Sequence, residues 1–298
     1  MAPPAVLSIA GSDSGGGAGI QADLKAFAYA GVHGMTAITA LTAQNTVGVT
    51  GIHPVPAAFI VEQVRAVHED IGVDAVKIGM LGTAATVRAV SRALDLLPPT
   101  TPIVIDPVMV SESGAVLLDD EARQAIVTEL LPRATVITPN LPEARVLAGS
   151  HQSEPASWAH TGDASDDVAD LATTLHALGP AHVVITGGHR DEIVDVFYDG
   201  IEIHTLTGER FPDGAAHGSG CTHSSTLAAH LALGATPLEA AQAARSAASR
   251  AVQHGLRDIG KGAGPVDVLN VAVRALTARQ LGATDPKGHL SARDIMRP

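Results

Sequence analysis

The chain has 298 residues, with 19 basic and 31 acidic side chains and a formal net charge of −12. A chain this long buries roughly 75% of its unfolded surface and needs no disulfide or metal staple; its one cysteine, Cys221, excludes a disulfide framework and a Cys-rich zinc site. The acidic balance and the 2% aromatic content exclude nucleic acid and anionic membranes as partners.

In chain order, residues 6–10 form a short apolar run that reads as a buried strand. The run has no basic flank and is too short for a secretory signal or a membrane span, so the protein is expected in the cytoplasm. Ile20, Leu24, Phe27 and Ala28 share one helical face, which predicts a helix over 18–30 stopped by Gly31. A strand over 35–41 follows, then a helix over 57–71 behind Pro56, a strand over 75–78 and a helix over 84–97 stopped by Pro98. Next come a strand over 103–105, a helix over 121–131 and a strand over 136–138. A short helix over 141–147, a longer one over 166–178 and a strand over 182–185 complete the series. This alternation predicts a mostly parallel sheet covered on both faces. Asp199-Gly200, between apolar runs 193–198 and 201–206, is a two-residue hairpin signal. Ala-rich helices are expected over 221–233 and 238–254, and a third from about 266. No linker breaks the rhythm. Residues 1–282 are therefore expected to form one domain, with 283–298 a weakly ordered tail and 150–165 a second flexible segment.

In an open parallel sheet, ligands bind beyond the carboxyl ends of the strands, and four segments fall there. Residues 11–19, Gly-Ser-Asp-Ser-Gly-Gly-Gly-Ala-Gly, follow a strand and open a helix, so their amides can approach a ligand closely. They match neither the dinucleotide fingerprint nor a P-loop, and a plain tight turn explains them as well. Gln44 offers an amide oxygen beside an NH₂ group, the complement of an aminopyrimidine edge; a loop amide bonded to backbone is the alternative. Asp106 and the Asn140–Glu143 stretch place oxygen ligands at neighbouring strand ends, which suits Mg²⁺, although Asn140 and Glu143 are also the residues of a helix cap. His217-Gly218-Ser219-Gly220-Cys221-Thr222 opens a helix with small residues, a ready anion site. Its helix terminus is expected to lower the Cys221 thiol below its usual ~8.5; a gap-filling cysteine is the alternative.

Together these segments resemble the ribokinase-like superfamily, and within it the hydroxymethylpyrimidine/phosphomethylpyrimidine kinases of thiamine biosynthesis. Ser8-Ile9-Ala10-Gly11-Ser12-Asp13 leading into Gly16–Lys25, Thr39–Thr46, Val76–Leu81, Asp-Pro-Val-Met, Thr-Pro-Asn-Leu-Pro-Glu and His-Gly-Ser-Gly-Cys-Thr carry the resemblance. It runs from about residue 6 to 268.

The resemblance implies a three-layer α/β/α kinase fold and ATP as phosphoryl donor with Mg²⁺. The acceptor would be 4-amino-5-hydroxymethyl-2-methylpyrimidine, and then its monophosphate. It implies Cys221 as general base and Gly218, Ser219 and Gly220 as the anion hole. Gln44 would read the pyrimidine in a pocket lined by Gly11, Asp23, Met80 and Val108. Asp106 and Glu143 would organise Mg²⁺, and Asn140, Thr186 and Gly188 the nucleotide. A homodimer is a further expectation. The sequence departs from the family pattern at Thr186, where a lysine is usual, at Arg245, which replaces a helix lysine, and after Gly264-Pro265, where a histidine is missing. A pyridoxal kinase of the same fold and a non-catalytic pyrimidine sensor are the competing readings. Gln44 argues against the first, and Asp106, Glu143 and Cys221 against the second. A dehydrogenase would need a different glycine spacing.

Overall fold

The computed structural model describes residues 2–111, 114, 117–149, 165–187, 193–209, 211 and 214–283. In chain order the elements are β1 (Ala5–Ala10), α1 (Gly19–Ala30), β2 (His33–Ile38), β3 (Ala40–Asn45), β4 (Gly48–Pro54), α2 (Ala57–Asp70), β5 (Ala75–Ile78), α3 (Ala84–Leu94) and β6 (Ile103–Ile105). There follow α4 (Asp120–Ala125), β7 (Val136–Ile137), α5 (Leu141–Leu147), α6 (Ser165–His176), β8 (His182–Ile185), β9 (Ile193–Tyr198), β10 (Ile203–Gly208), α7 (Ser219–Ala232), α8 (Pro237–Gln253) and α9 (Val271–Ala283).

Among the described residues, eight strands form one sheet in the order β10-β9-β8-β7-β6-β5-β1-β2. Only β9 runs antiparallel to its neighbours. Because side chains alternate across a strand, the sheet feeds two cores. Leu7, Ile9, Val76, Ile78, Ile103 and Ile105 join α2–α6 on one face. Val6, Ala75, Val104, Val136 and Val184 join Phe27 of α1, Leu227 of α7 and the alanines of α8 on the other. The result is the expected three-layer α/β/α sandwich. No helix among the described residues is long and apolar enough to cross a membrane.

Local chemistry explains most boundaries. Gly31 ends α1 in the left-handed region at φ 80°. Thr83 caps α3, and capping boxes open α5 (Asn140 with Glu143) and α8 (Thr236 with Glu239).

Five boundaries differ from expectation. The strand expected over 35–41 breaks at Thr39, whose hydroxyl donates to the Met80 carbonyl at 2.7 Å. Beyond the break, β3 leaves the main sheet and pairs with β4 as a separate antiparallel hairpin. The helix expected over 84–97 closes at Leu94, where tighter bonds from Leu96 and Leu97 to Ala93 and Leu94 take over. The helix expected over 121–131 is α4 followed by a π turn, Ile126–Leu130, and a 3₁₀ turn, Leu131–Arg133. The Thr128 hydroxyl bonds back to the Gln124 carbonyl and Pro132 supplies no N–H, so the regular ladder cannot continue. The Asp199-Gly200 hairpin forms, but with a longer turn. Asp199 Oδ1 accepts the N–H groups of Ile201 and Glu202, so β10 begins only at Ile203. The last helix starts at Val271 rather than near 266, because the Asp267 carboxylate accepts the Val271 and Ala272 N–H groups. The two flexible segments expected from sequence, 150–165 and 283–298, fall outside the described residues apart from Ser165, which opens α6, and Ala283, which ends α9.

Candidate active site

Two glycine-rich segments, 200 residues apart in sequence, pack against each other at the carboxyl ends of β1 and β5. Gly218 sits at φ 84°, and a Cβ there would strike the Gly17 carbonyl. Asp13 ties the two together. Its Oδ1 accepts the Gly15 N–H at 2.8 Å. Its Oδ2 accepts Gly17 and Ala18 at 3.0 and 2.8 Å and lies 3.1 Å from His217 Nε2. Burial opposes the Asp13 charge, but His217 and these amides outweigh it and hold its carboxyl below the usual range.

Helix α7 starts on Gly218 with no side-chain cap. The Ser219 N–H turns back onto the Ala216 carbonyl and the Thr222 N–H onto Gly218. Of the expected anion hole of Gly218, Ser219 and Gly220, Gly218 is the N-cap and the Ser219 amide is spent, which leaves the Gly220 amide, joined by that of Cys221, in the first turn at the positive end of the helix. Asp106, at the end of β6, faces this turn. Its Oδ2 accepts from Ser224 Oγ at 3.0 Å and lies 4.0 Å from where a Gly220 Cβ would stand.

Beneath the turn lies a polar network with no access to solvent. Lys77 Nζ donates to Asp23 Oδ1 at 2.9 Å and stands 4.0 Å from Asp106 Oδ2. Ser225 Oγ donates to Asp23 Oδ1 at 2.7 Å and Ser8 Oγ to Asp23 Oδ2 at 2.6 Å. Asp23, expected to line the pocket, is instead fully buried below it with its oxygens engaged. Burial works against the Lys77 ammonium, yet Asp23, Cys221 and Asp106 together raise its pKa.

The thiol also departs from expectation. Burial pushes Cys221 up to about 12, with Asp23 and Asp106 adding to the rise and Lys77 and the Gly19 N–H opposing it. Desolvation and two carboxylates outweigh Lys77 and the Gly19 N–H, so at neutral pH the sulfur carries a proton.

Glu143 bridges two strand ends. It accepts the Met109 N–H at 3.3 Å and the Asn140 N–H at 3.0 Å. Burial and the Asp106 charge raise its carboxyl to about 8 against those two amides. Burial likewise raises Asp106, with Lys77 and Ser224 opposing. A pair of buried carboxyls short of positive charge fits a divalent cation. Among the described residues no three His, Cys, Asp or Glu gather for a metal. A cation here would draw its other ligands from water and phosphate, as Mg²⁺ does.

Gln44, on β3, reaches the same region. Its backbone N–H and C=O both bond the Ser14 hydroxyl, at 2.8 and 2.7 Å. Its Oε1 lies 3.3 Å from Thr42 Oγ1. With Thr46, His217 and Gly262 it lines a recess of about 260 Å³. Gly11 lies against Met80, and a Cβ at Gly11 would collide with the Met80 methyl. Val108 is half-buried in the loop after Asp106. Thr186 pairs with Asn140 at the ends of β8 and β7, to one side of the cysteine turn. Gly188 lies outside the described residues.

Sequence reasoning missed Lys77, Ser8, Ser224 and Ser225 as parts of the site. A lysine inside the otherwise apolar Ala75–Ile78 strand was the available signal, since a charge is buried there only with a partner.

A glycine-lined helix turn facing a buried acidic pair, at the strand ends of this three-layer sandwich, fits the class of ribokinase-like small-molecule kinases. Solved structures agree. Staphylococcus aureus pyridoxal kinase superposes with a TM-score of 0.80, 34% identity and cover of 91% of this chain and 95% of that one. Phosphomethylpyrimidine kinase from Clostridium difficile 630 gives 0.69 and 38%, covering 82% of this chain and 96% of that one. Residues 13–267 match the phosphomethylpyrimidine kinase family, and the chain belongs to that family. A hydroxymethylpyrimidine/phosphomethylpyrimidine kinase of Synechococcus elongatus is 44% identical over 89% of this chain and 97% of its own length. A thiamine biosynthesis bifunctional protein of Geobacter sulfurreducens is 42% identical over 88% of this chain, which spans only 51% of that relative.

Proposed function

We propose that the chain transfers the γ-phosphoryl group of ATP to the hydroxymethyl oxygen of 4-amino-5-hydroxymethyl-2-methylpyrimidine and then to the resulting monophosphate, as a step of thiamine biosynthesis. The observation that carries this reading is the meeting of Asp106 with the Gly220-Cys221 turn at the strand ends, with the Lys77 ammonium buried directly beneath them.

Gln44 binds the aminopyrimidine edge, and Gly11, Met80 and Val108 enclose the ring. Asn140 and Thr186 hold the nucleotide side. The amides of Gly220 and Cys221 face the charge that develops on the transferred group. Asp106 and Glu143 would hold Mg²⁺, whose charge would offset that of the phosphates. Cys221 accepts the proton of the attacking hydroxyl after giving its own to solvent, and the Lys77 ammonium is the neighbour that favours the thiolate. The second transfer has no hydroxyl proton to remove, because a phosphate oxygen attacks.

The test is incubation with Mg-ATP and the pyrimidine alcohol, with products resolved by mass. Mono- and then diphosphorylated pyrimidine are expected, with ADP released only when the alcohol is present. Absence of both products sinks the reading. Cys221→Ala is the internal control: it is expected to slow the first transfer roughly 10²–10⁴-fold, the value of a general base, and the second far less.

The high structural similarity to pyridoxal kinases favours pyridoxal as a second acceptor. Pyridoxal also carries a hydroxymethyl group but lacks the exocyclic amine, so Gln44 would lose a partner and kcat/KM would fall. A homodimer belongs to the same reading. Leu41 and Ile52 of the hairpin, each 48% exposed, support it, and sedimentation at working concentration tests it.

A further inference from the structure

The strand β9 carries a buried charge that the reading above leaves unused. Asp195 shares with Phe197 the face of β9 toward the α7–α8 layer and is 1% exposed. A carboxylate so deep in the protein persists only where other groups hold it. Its Oδ1 accepts the Gly187 N–H at 2.9 Å. Its Oδ2 lies 3.6 Å from Arg245 Nε on α8 and 3.7 Å from His223 Nε2 on α7. Burial holds His223 below its ordinary range, with Arg245 lowering it further against Asp195. The imidazole is therefore neutral near pH 7, and Arg245 is the cation of the group.

The place matters more than the pairing. Gly187 follows Thr186, which pairs with Asn140 on the nucleotide side. No Cβ fits at Gly187, because the Val194 carbonyl occupies the space. The turn after β8 is thus pressed on β9 and tied through one carboxylate to α8, while the neutral His223 ring of α7 packs beside that carboxylate beyond hydrogen-bond distance.

We infer that Asp195 is a positioning residue for the nucleotide: paired with Arg245, it fixes the turn after β8 against α8. This rests on the kinase reading, because it takes the Thr186 turn as the nucleotide side. Reactive geometry of this kind is sensitive to displacements of about 1 Å.

Calorimetry of Mg-ADP binding to the full chain reads the inference without any acceptor, so its failure is distinct from failure of the pyrimidine assignment. Asp195→Asn removes the charge at constant size. It is expected to weaken Mg-ADP binding about 10-fold, the scale of one charge-assisted hydrogen bond. The pyrimidine KM is expected to stay within about 2-fold, as for a group outside that pocket. The Asp195→Asn/Arg245→Met double variant removes both buried charges together, so it is expected to fold even where the single variant does not. Because the two residues act through one turn, it should lose no more affinity than the single change. Wild-type Mg-ADP affinity in either folded variant overturns the inference. So does equal weakening toward ADP and pyrimidine, which would make Asp195 a general scaffold residue.

Discussion

Lys77 holds a full positive charge where no water reaches, so its stability is set by its partners. Asp23 answers it at 2.9 Å and Asp106 stands 4.0 Å away. Removing one member of such a pair strands the other charge, whereas removing both relieves the penalty. Lys77→Met is therefore expected to destabilise the protein by roughly 3–5 kcal/mol, and Lys77→Met/Asp23→Asn by clearly less. Urea unfolding measures both, and a single variant within about 1 kcal/mol of wild type would contradict a buried, charged pair. The same charges govern the cysteine. A thiol raised to about 12 keeps its proton through the physiological range and exposes a tenfold larger thiolate fraction with each unit of rising pH. Alkylation of the lone Cys221 by iodoacetamide, followed by mass, is expected to rise log-linearly from about pH 7 to 10, whereas a free thiol levels off near ~8.5. A plateau below pH 8 would mean the helix terminus and Lys77 dominate after all.

At the scale of elements, the hairpin β3–β4 has almost no core of its own and is positioned by hydroxyls. Ser14 holds its middle, and Thr42 Oγ1 donates to the Ser12 carbonyl at 2.7 Å. At the tip, Thr46 Oγ1 accepts the N–H groups of Lys261 and Gly262 at 3.1 and 3.2 Å, which draws the 260–262 loop over the recess beside Gln44. Thr46→Val keeps the shape and removes the acceptor. Two lost bonds of about 1 kcal/mol each predict a pyrimidine KM raised on the order of 10-fold, with the ATP KM unchanged; initial-rate kinetics with each substrate varied would show it. This hairpin was hidden in the sequence because 35–41 reads as one apolar strand, and the break at Thr39 depends on a carbonyl 41 residues away. The parallel strands were legible for the opposite reason: β6 and β7 are continuous apolar runs, and β5 and β8 are apolar but for Lys77 and His182, a pattern set locally between turn residues. Strand ends marked Asp106, Glu143 and Cys221 as site candidates. The network beneath them stayed hidden, since Lys77 meets Asp23 across 54 residues and Ser225 meets it across 202.

Across the whole molecule, a net charge of −12 has to be reversed where a polyanionic nucleotide is to bind. The fold supplies part of that reversal from the N-terminus of α7, set against the central strands, and Mg²⁺ would supply the rest, because Lys77 is already balanced by Asp23 and Asp106. The same strands tie the two helical layers together. Leu7 and Ile9 of β1 serve one core and Val6 the other, and β5 and β6 divide their side chains in the same way. Neither helical layer can leave without exposing the sheet that the other layer needs. Residues 1–282 are therefore expected to unfold as one domain despite their length. Calorimetry should give one transition, with its van't Hoff enthalpy equal to the measured one. Two resolved transitions, or limited proteolysis yielding a stable fragment that keeps only one of the two helical layers, would show that the cores are separable.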